Sequence, residues 1–310
     1  MSQINLFLSI TMTSLNTLVL ALAIPGNILV ILILVRFQRL TVTNIFLLNL
    51  SVSDMIIALT SIPFNIIIDN WTPVWIFGKV LCKLLGFIQG TGISLVAFTQ
   101  VVISIDRFII VFYPLRPRMK QRWALTVIII VWLLSMSSNS PLIYISTLYN
   151  NTLCRESWSD KTNTLYSILM LFVQYFLPVC CMIVSYVMIV IKIWCKINPG
   201  IFSRQQLQLR ARSKEKLLKT VITISLLYTL AQLPRHVMYL CSLSYTDKRL
   251  FWSNKRTLWL AVSCLSTSAS CYNPIIYFCI NPKYRKLVSI QKSSLRCHQK
   301  FSQRLNFENK

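Results

Sequence analysis

Long apolar segments alternate with short polar links along the whole chain. A transmembrane helix needs about 20 mainly apolar residues, and seven segments reach that length. They are Leu15–Val35, Asn44–Ile67, Cys82–Pro114, Trp123–Ile145, Tyr166–Ile193, Lys216–Leu243 and Trp259–Ile280. The pattern predicts an all-α membrane protein in which residues 15–280 form a seven-transmembrane helix bundle.

The two ends of the chain are predicted to lie outside this bundle. Residues 1–14 form a short N-terminal segment, and residues 281–310 form a basic tail. Pro282–Ile290 is basic on one side and apolar on the other, where Leu287 and Val288 lie. This pattern is typical of an amphipathic helix on a membrane surface, so we expect a short one at the start of the tail.

The third segment carries distinct chemical groups at its two ends. Cys82 and Asp106 are 24 positions apart, which is about 36 Å along a helix, and a bilayer core is about 30 Å thick. We therefore expect Cys82 at one membrane face and Asp106-Arg107 at the other. Gln89 lies about 10 Å below Cys82, deep enough to form the floor of a pocket.

Composition supports membrane integration. The 310 residues are 55% hydrophobic and 13% charged, with a mean hydropathy of +0.60, whereas soluble domains carry about 25% charged residues. The net charge of +24 suits a nucleic-acid binder only if the cations share one face. Here they lie between apolar segments, so we expect no nucleic-acid partner and contact with membrane lipid instead.

The distribution of lysine and arginine predicts the orientation. The links after segments one, three and five, together with the tail, hold 22 of these residues, and the other loops hold 8. Positive charge concentrates on the cytoplasmic side of membrane proteins. We therefore expect an extracellular N-terminus and a cytoplasmic C-terminus.

Several side chains are expected to be modified. Of the ten cysteines, only Cys82 and Cys154 fall at outer, loop-level positions, where an oxidising compartment permits a disulfide. Asn70 and Asn150 begin glycosylation sequons in predicted outer loops. Cys297 follows the predicted surface helix among basic residues, so palmitoylation and a free thiol both remain open there.

Asp54 lies near the middle of the second segment. A carboxylate is costly at that depth unless it faces the bundle interior with partners or water. Two interpretations remain open, a buried hydrogen-bonding residue and a functional polar site.

A set of motifs, at least one in each segment, resembles the rhodopsin-like G-protein-coupled receptors over nearly the whole chain. The motifs are Gly26-Asn27, Asn49–Asp54, Cys82, Asp106-Arg107-Phe108, Trp132, Pro178 with Tyr186, Pro234, and Asn273–Tyr277. The resemblance implies a plasma-membrane receptor that binds an extracellular ligand and activates a heterotrimeric G protein, with arrestin as a further partner. It implies no catalytic residue and no organic cofactor.

Further motifs resemble the neuropeptide branch of that family, which includes the neuropeptide Y and neuropeptide FF receptors. They are Trp75–Gly78, Gln89, Cys154–Trp158 and Gln174-Tyr175, while Leu233–Leu240 is similar to bombesin receptors as well. Amine receptors of the family carry an aspartate where this chain has Gln89. The implied ligand is therefore a neuropeptide, and the implied pocket is lined by Gln89, Gln174, Arg235, His236, Tyr239 and Glu156.

Two of these residues have an alternative interpretation. Gln89 also suits a structural hydrogen bond to a neighbouring helix. Arg235 also suits a side chain that extends outward to water rather than into the pocket.

The resemblance also implies a switch at the inner face. Asp106 is expected to hold Arg107 at rest and to release it toward the G protein. Tyr186 and Tyr277 are expected to support the released form, and Pro234 and Pro274 to let helices bend. A sodium ion is implied at Asp54, Ser270 and Asn273.

The chain departs from the family pattern at two notable positions. Gln232 replaces the usual tryptophan two residues before Pro234, and Val96 replaces a serine that often helps to hold sodium. A receptor for a non-peptide ligand and a signalling-impaired receptor therefore remain alternatives.

Other classes of membrane protein fit less well. A seven-span transporter or channel typically shows repeated halves, glycine-broken helices or several midplane acids, whereas this chain has six glycines and Asp54 alone at midplane. An enzyme needs a catalytic constellation, and the two histidines are His236 and His298. The chain is therefore not expected to be an enzyme.

Overall fold

The computed structural model describes residues 3–36, 40–67, 74–195, 204–243 and 255–280. Helices α1 to α9 are Gln3–Arg36, Val42–Phe64, Gly78–Phe112, Gln121–Asn139, Pro141–Ile145, Asp160–Leu171, Leu177–Cys195, Arg204–Leu243 and Arg256–Ile280. Strands β1 and β2 are Ser146–Tyr149 and Leu153–Glu156. A π-helical turn, Phe172–Phe176, joins α6 to α7.

These helices form seven consecutive rods, which we number spans 1 to 7. Spans 1 to 3 contain α1 to α3, span 4 combines α4 and α5, span 5 combines α6, the π turn and α7, and spans 6 and 7 are α8 and α9. Within the described residues, five rods are long and apolar enough to cross a membrane: Leu6–Arg36, Val42–Ile67, Gly78–Phe112, Gln121–Ile145 and Asp160–Lys192. Helices α8 and α9 contain the sixth and seventh segments expected from the sequence.

Helix α1 begins earlier than the sequence pattern predicts. It starts at Gln3 rather than near Leu15. Residues 3–14 contain no proline or glycine, so nothing in their backbone chemistry stops the helix from extending toward the N-terminus.

Three expectations lie outside the described residues: the surface helix at 282–290, the sequon at Asn70 and the palmitoylation of Cys297.

Span 5 is irregular just before Pro178. Proline has no N–H to donate and its ring crowds the carbonyl four residues earlier, which here belongs to Gln174. The backbone here forms the π turn at Phe172–Phe176, and Gln174 lies at the centre of this turn. A π turn inserted into an α-helix often marks a functional position. The sequence predicts a break at Pro178 but not this local geometry.

The link between spans 4 and 5 forms a β-hairpin that the sequence pattern does not predict. Strands β1 and β2 are antiparallel, with Leu148 opposite Cys154. Asn150 and Asn151 in the turn have φ angles of 48° and 56°, a left-handed region that asparagine tolerates better than most residues. The Cys82–Cys154 disulfide is present and ties this hairpin to the beginning of α3.

Spans 1 and 7 approach each other closely at Gly26. A Cβ atom at this position would lie 2.8 Å from Cγ of Pro274. The Asn27 amide next to it donates to the carbonyl oxygens of Ser270 at 2.9 Å and Ala23 at 2.9 Å. The absence of a side chain at Gly26 therefore lets a polar contact fix the register of the two spans.

Spans 3, 4 and 5 meet at a buried polar cluster formed by Ser94, Asn139 and Gln174. Asn139 donates to Ser94 Oγ at 2.9 Å, and Gln174 donates to the same oxygen at 2.8 Å. Gln174 also lies 3.3 Å from Asn139 Oδ1. Gly90 makes room for this cluster, because a Cβ there would overlap with Asn139 Oδ1.

The Gly90→Ala substitution is expected to destabilise the bundle by about 1–3 kcal/mol, because Asn139 is held by hydrogen bonds and cannot move aside. The measurement is the thermal unfolding midpoint of the purified variant in detergent. Gly86→Ala is the matched control on the same helix, since the nearest atom to its new Cβ is Leu142 Cδ1 at 4.0 Å. Equal midpoints for the two variants would contradict the assigned packing.

Candidate functional site

Near the C-terminal end of span 3, which the sequence predicts to be the inner end, Arg107 is buried beside Asp106. One guanidinium nitrogen, Nη2, lies 3.6 Å from Asp106 Oδ2, and the two side chains are 7% and 12% exposed. The same nitrogen donates to Thr43 Oγ1 of span 2 at 2.7 Å. Span 3 thus holds a charge pair in the arrangement expected from the sequence, and span 2 contributes a third partner that the sequence did not suggest.

Two tyrosines lie near this arginine. Tyr186 belongs to span 5 and Tyr277 to span 7, and both side chains are buried. The Tyr186 hydroxyl is 3.0 Å from Ser225 Oγ of span 6. Spans 3, 5, 6 and 7 therefore converge around one buried cation, which makes their relative positions sensitive to its partners.

Deeper in the bundle, Asp54 is buried against span 7. The Asn273 side-chain amide donates to Asp54 Oδ2, and Ser270 donates to the carbonyl of Thr267 at 2.8 Å. Asn273 Oδ1 is buried and has no hydrogen-bond partner within the described part of the chain. A carboxylate and an orphaned amide oxygen are ligand types that suit a hard monovalent cation, so the residues fit the implied sodium ion.

Gln232 occupies the position of the usual tryptophan and contacts span 7 directly. Ser266 Oγ donates to Gln232 Oε1 at 2.6 Å, and Gln232 Nε2 lies 3.3 Å from the carbonyl oxygen of Ser266. Both residues are almost fully buried. Where the family usually has an indole, this chain has a two-point hydrogen-bonded contact that joins spans 6 and 7.

Near the C-terminal end of span 6, which the sequence predicts to be the outer end, Arg235 and His236 lie beside aromatic rings. The Tyr175 and His236 ring centroids are 4.8 Å apart. The Arg235 guanidinium lies 5.9 Å from the ring centroid of Tyr239, which in turn lies 5.5 Å from the ring of Trp259. Spans 5, 6 and 7 thus present four aromatic or imidazole rings and one cation together, and we call these five residues the outer aromatic cluster.

Glu156 lies at the edge of the same region. It accepts a hydrogen bond from the Trp158 indole, whose ring stacks on Tyr166 at 4.7 Å. Tyr166 also lies near Glu156 and Tyr239. The exposed carboxylate at the end of the hairpin is therefore on the side of the bundle that carries the outer aromatic cluster.

Two of the expected pocket residues lie apart from this cluster. Gln89 donates from Nε2 to the carbonyl oxygen of Thr60 in span 2 at 2.8 Å, which matches the structural alternative stated above. Gln174 is buried in the polar cluster with Ser94 and Asn139. The structure brings Arg235, His236 and Tyr239 together on one helix, with Glu156 nearby.

Sequence reasoning did not assign a role to several residues that build these sites. Thr43, Asn139, Ser94 and Ser266 provide hydrogen bonds between spans, and Trp259 completes the outer aromatic cluster. Small polar residues in an apolar helix are a weak signal for helix contacts. Their partners depend on helix rotation, which the sequence pattern does not fix.

Comparison with known proteins places these features in one family. The profile of the 7 transmembrane receptor (rhodopsin family) matches residues 26–277. The chain belongs to this family, and it is therefore a multi-pass membrane protein of the plasma membrane. Family membership confirms the expected seven-helix fold and agrees with the expectation that the chain is not an enzyme.

Individual relatives carry the names of peptide receptors. The RYamide receptor of Drosophila melanogaster is 32% identical over 85% of this chain and 59% of its own length. Neuropeptide receptor 22 of Caenorhabditis elegans is 34% identical over 84% of this chain and 64% of its own. The human Substance-K receptor is 28% identical over 85% of this chain and 68% of its own. The chain thus spans about six tenths of the length of the first two relatives.

The contact between Gln232 and Ser266 is expected to couple spans 6 and 7 energetically. Gln232→Met and Ser266→Ala should each lower stability by about 1 kcal/mol, and the double variant should lose less than the sum, because the second change no longer breaks the bond. Thermal unfolding of the four proteins measures this coupling. Ser268→Ala is the control partner, since the hydrogen bonds of its hydroxyl within the described residues go to Leu265 and Tyr272 of α9 itself. Additive losses for Gln232 with Ser266 would contradict the assignment.

Proposed function

We propose that this chain is a receptor for an extracellular peptide that activates a heterotrimeric G protein at its inner face. The observation that carries the proposal is the buried Arg107, held by Asp106 and by Thr43 of span 2. When a G protein inserts between the inner span ends, it offers the Arg107 guanidinium a new partner in place of the Asp106 carboxylate and the Thr43 hydroxyl. Two arrangements that differ by a few kcal/mol form a switch that ligand and G protein can both bias.

The outer aromatic cluster supports a peptide as the ligand. The half-buried Arg235 cation repels an ammonium ion, whereas the cation and the aromatic rings together suit the side chains, carbonyl groups and amide groups of a peptide. Arg235, His236, Tyr239 and Glu156 are the proposed contacts, and Gln89 and Gln174 set the depth of the pocket from their hydrogen-bonded positions. Relatives named as RYamide and Substance-K receptors favour the same ligand class.

We infer the orientation of the chain from the distribution of its lysine and arginine residues, and the proposed modification sites follow from that orientation. The excess of lysine and arginine in the links after spans 1, 3 and 5 supports an extracellular N-terminus, residues 1–14, and a cytoplasmic tail, residues 281–310. Asn70 and Asn150 are then extracellular glycosylation sites, while Cys297 and the surface helix at 282–290 face the inner leaflet. Arrestin and membrane lipid are the proposed further partners.

Asp54 and Asn273 are the proposed holders of a sodium ion, with Ser270 beside them. The ion would neutralise a buried carboxylate that, within the described residues, has no cationic side chain in ion-pair contact. Tyr186, Tyr277, Pro234 and Pro274 are proposed to take part in the rearrangement that frees Arg107.

A signalling-impaired receptor is the second candidate function. The direct bond between Gln232 and Ser266 favours it, because a contact that joins spans 6 and 7 opposes their separation. If this candidate holds, Ser266→Ala will raise the G-protein response of a receptor that binds peptide but signals weakly.

The first experiment measures calcium, cAMP and G-protein dissociation in cells that express the chain and receive a library of C-terminally amidated peptides. A peptide is expected to evoke a response that Arg107→Ala abolishes while surface expression and peptide binding persist. Arg36→Ala is the matched control, because Arg36 is an exposed inner arginine of span 1. Silence across the library at normal surface expression would contradict the peptide assignment.

The contribution of Arg235 is tested with the peptide found in that screen. Arg235→Gln is expected to weaken binding about 10- to 150-fold, because a charge-assisted hydrogen bond to the ligand contributes about 1.5–3 kcal/mol. Competition binding on membranes gives the affinity. Lys255→Gln, which removes an exposed outer cation at the beginning of span 7, should leave it unchanged, and equal affinities for all three proteins would exclude Arg235 from the site.

A further inference from the structure

Arg235 lies on the face of span 6 that is turned into the bundle. Tyr228, Ala231 and Gln232 precede it by seven, four and three positions and are all buried, and residues at these intervals share one face of a helix. The Tyr228 hydroxyl donates to the Ile93 carbonyl oxygen of span 3 at 3.4 Å, so this face looks toward the bundle interior. The position of Arg235 on the same face directs its side chain between the spans.

The cation also lies well below the end of its helix. Span 6 ends at Leu243, eight residues after Arg235, which is about 12 Å along the helix axis. Met238, between the two, is buried and packs against Val262 of span 7. Arg235 itself is half-buried, and a charge at this depth needs a partner of opposite sign.

The described residues do not supply that partner. Within the ranges that the structure describes, no carboxylate forms an ion pair with Arg235. Its guanidinium lies 5.9 Å from the ring centroid of Tyr239, which is near the outer limit of a cation–π contact. The other side chains near it, Tyr228 and His236, carry no negative charge that could replace a carboxylate. The charge of Arg235 is therefore left for a group that enters between the spans.

The predicted outer surface carries an excess of positive charge. Its loops hold eight lysine and arginine residues against four carboxylates, which belong to Asp69, Glu156, Asp160 and Asp247. A surface with one dominant sign concentrates molecules of the opposite sign and speeds their association. The loops therefore attract an anionic ligand toward the span ends between which Arg235 lies.

We propose that the ligand is an acidic peptide and that one of its carboxylates pairs with Arg235. This inference rests on the proposed function and specifies the chemistry of the peptide. A guanidinium and a carboxylate form two parallel hydrogen bonds with matched geometry. Because the pair forms about 12 Å below the helix end, the carboxylate belongs to the part of the peptide that enters deepest. An acidic side chain and a free C-terminus both supply such a group.

The test exposes the purified full-length chain in phosphatidylcholine nanodiscs to random peptides and identifies the retained peptides by mass spectrometry. Two libraries of the same sequences are used, one with free and one with amidated C-termini. Enrichment of aspartate or glutamate at one position of the amidated peptides is expected if a side chain supplies the carboxylate. Preferential retention of the free-acid library is expected if the C-terminus supplies it.

Variants of Arg235 show whether the selection depends on this cation. Arg235→Gln should lose the preference for a carboxylate, and Arg235→Glu should retain peptides that carry lysine or arginine instead, a reversal that misfolding cannot produce. Arg235→Lys keeps the charge without the two-point geometry, so it should keep the preference at lower affinity. The matched control Lys255→Gln removes an exposed outer cation and should select the same peptides as the unmodified protein.

The pairing itself is measured with one retained peptide and its analogue in which the carboxylate is replaced by an amide. This replacement is expected to weaken binding to the unmodified receptor about 10- to 150-fold. It should leave binding to Arg235→Gln unchanged, because the double-mutant cycle isolates the interaction between the two groups. Equal losses in the two receptors would overturn the pairing.

The failure of this inference is distinguishable from the failure of the proposed function. Retained peptides without a preference for a carboxylate, or a preference that survives in Arg235→Gln, would overturn the acidic ligand and leave a peptide receptor standing. A folded receptor that retains no peptide from either library would overturn both.

Discussion

The buried Arg107 constrains the inner half of this protein more than any other group. A guanidinium at 7% exposure must be neutralised and hydrogen-bonded, since leaving it alone in an apolar bundle is prohibitive. Asp106 supplies the charge and Thr43 supplies the hydrogen bond, so spans 2 and 3 are fixed to each other at this level. The tyrosines of spans 5 and 7 then pack around a cation whose place is already set.

The same constraint operates throughout the bundle. Apolar side chains do not distinguish strongly between a neighbouring helix and the lipid, so polar contacts carry much of the information about which spans meet. Asn27 joins span 1 to span 7, Asp54 joins span 2 to span 7, and Gln174 joins span 5 to span 3. Each such bond contributes about 0.6 kcal/mol on average. A set of them is strong enough to fix one arrangement and weak enough to allow another.

Sequence reasoning predicts those features that depend on length and residue type. The seven spans follow from hydrophobic length, the Cys82–Cys154 bond from position and compartment, and the place of Asp106-Arg107 from helical rise. The hairpin at Ser146–Glu156 and the π turn before Pro178 were not predicted, because both depend on how a chain accommodates its neighbours. The partners of Gln174 and Gln232 depend on helix rotation, and a sequence pattern defines rotation only to within one face.

Several buried polar atoms of the described residues have no hydrogen-bond partner in the structure, including four atoms of spans 3 and 7. Both side-chain amide atoms of Gln100 are unpaired, as are Arg107 Nε and Asn273 Oδ1, and the three residues are 2%, 5% and 3% exposed. An unpaired buried polar group costs about 1–3 kcal/mol. These groups lie in spans 3 and 7, between Asp54 and the inner face, where the proposed switch operates. An arrangement that admits water or a partner protein to these groups recovers part of that cost. This difference reduces the free energy that a ligand must supply to shift the bundle from one arrangement to the other.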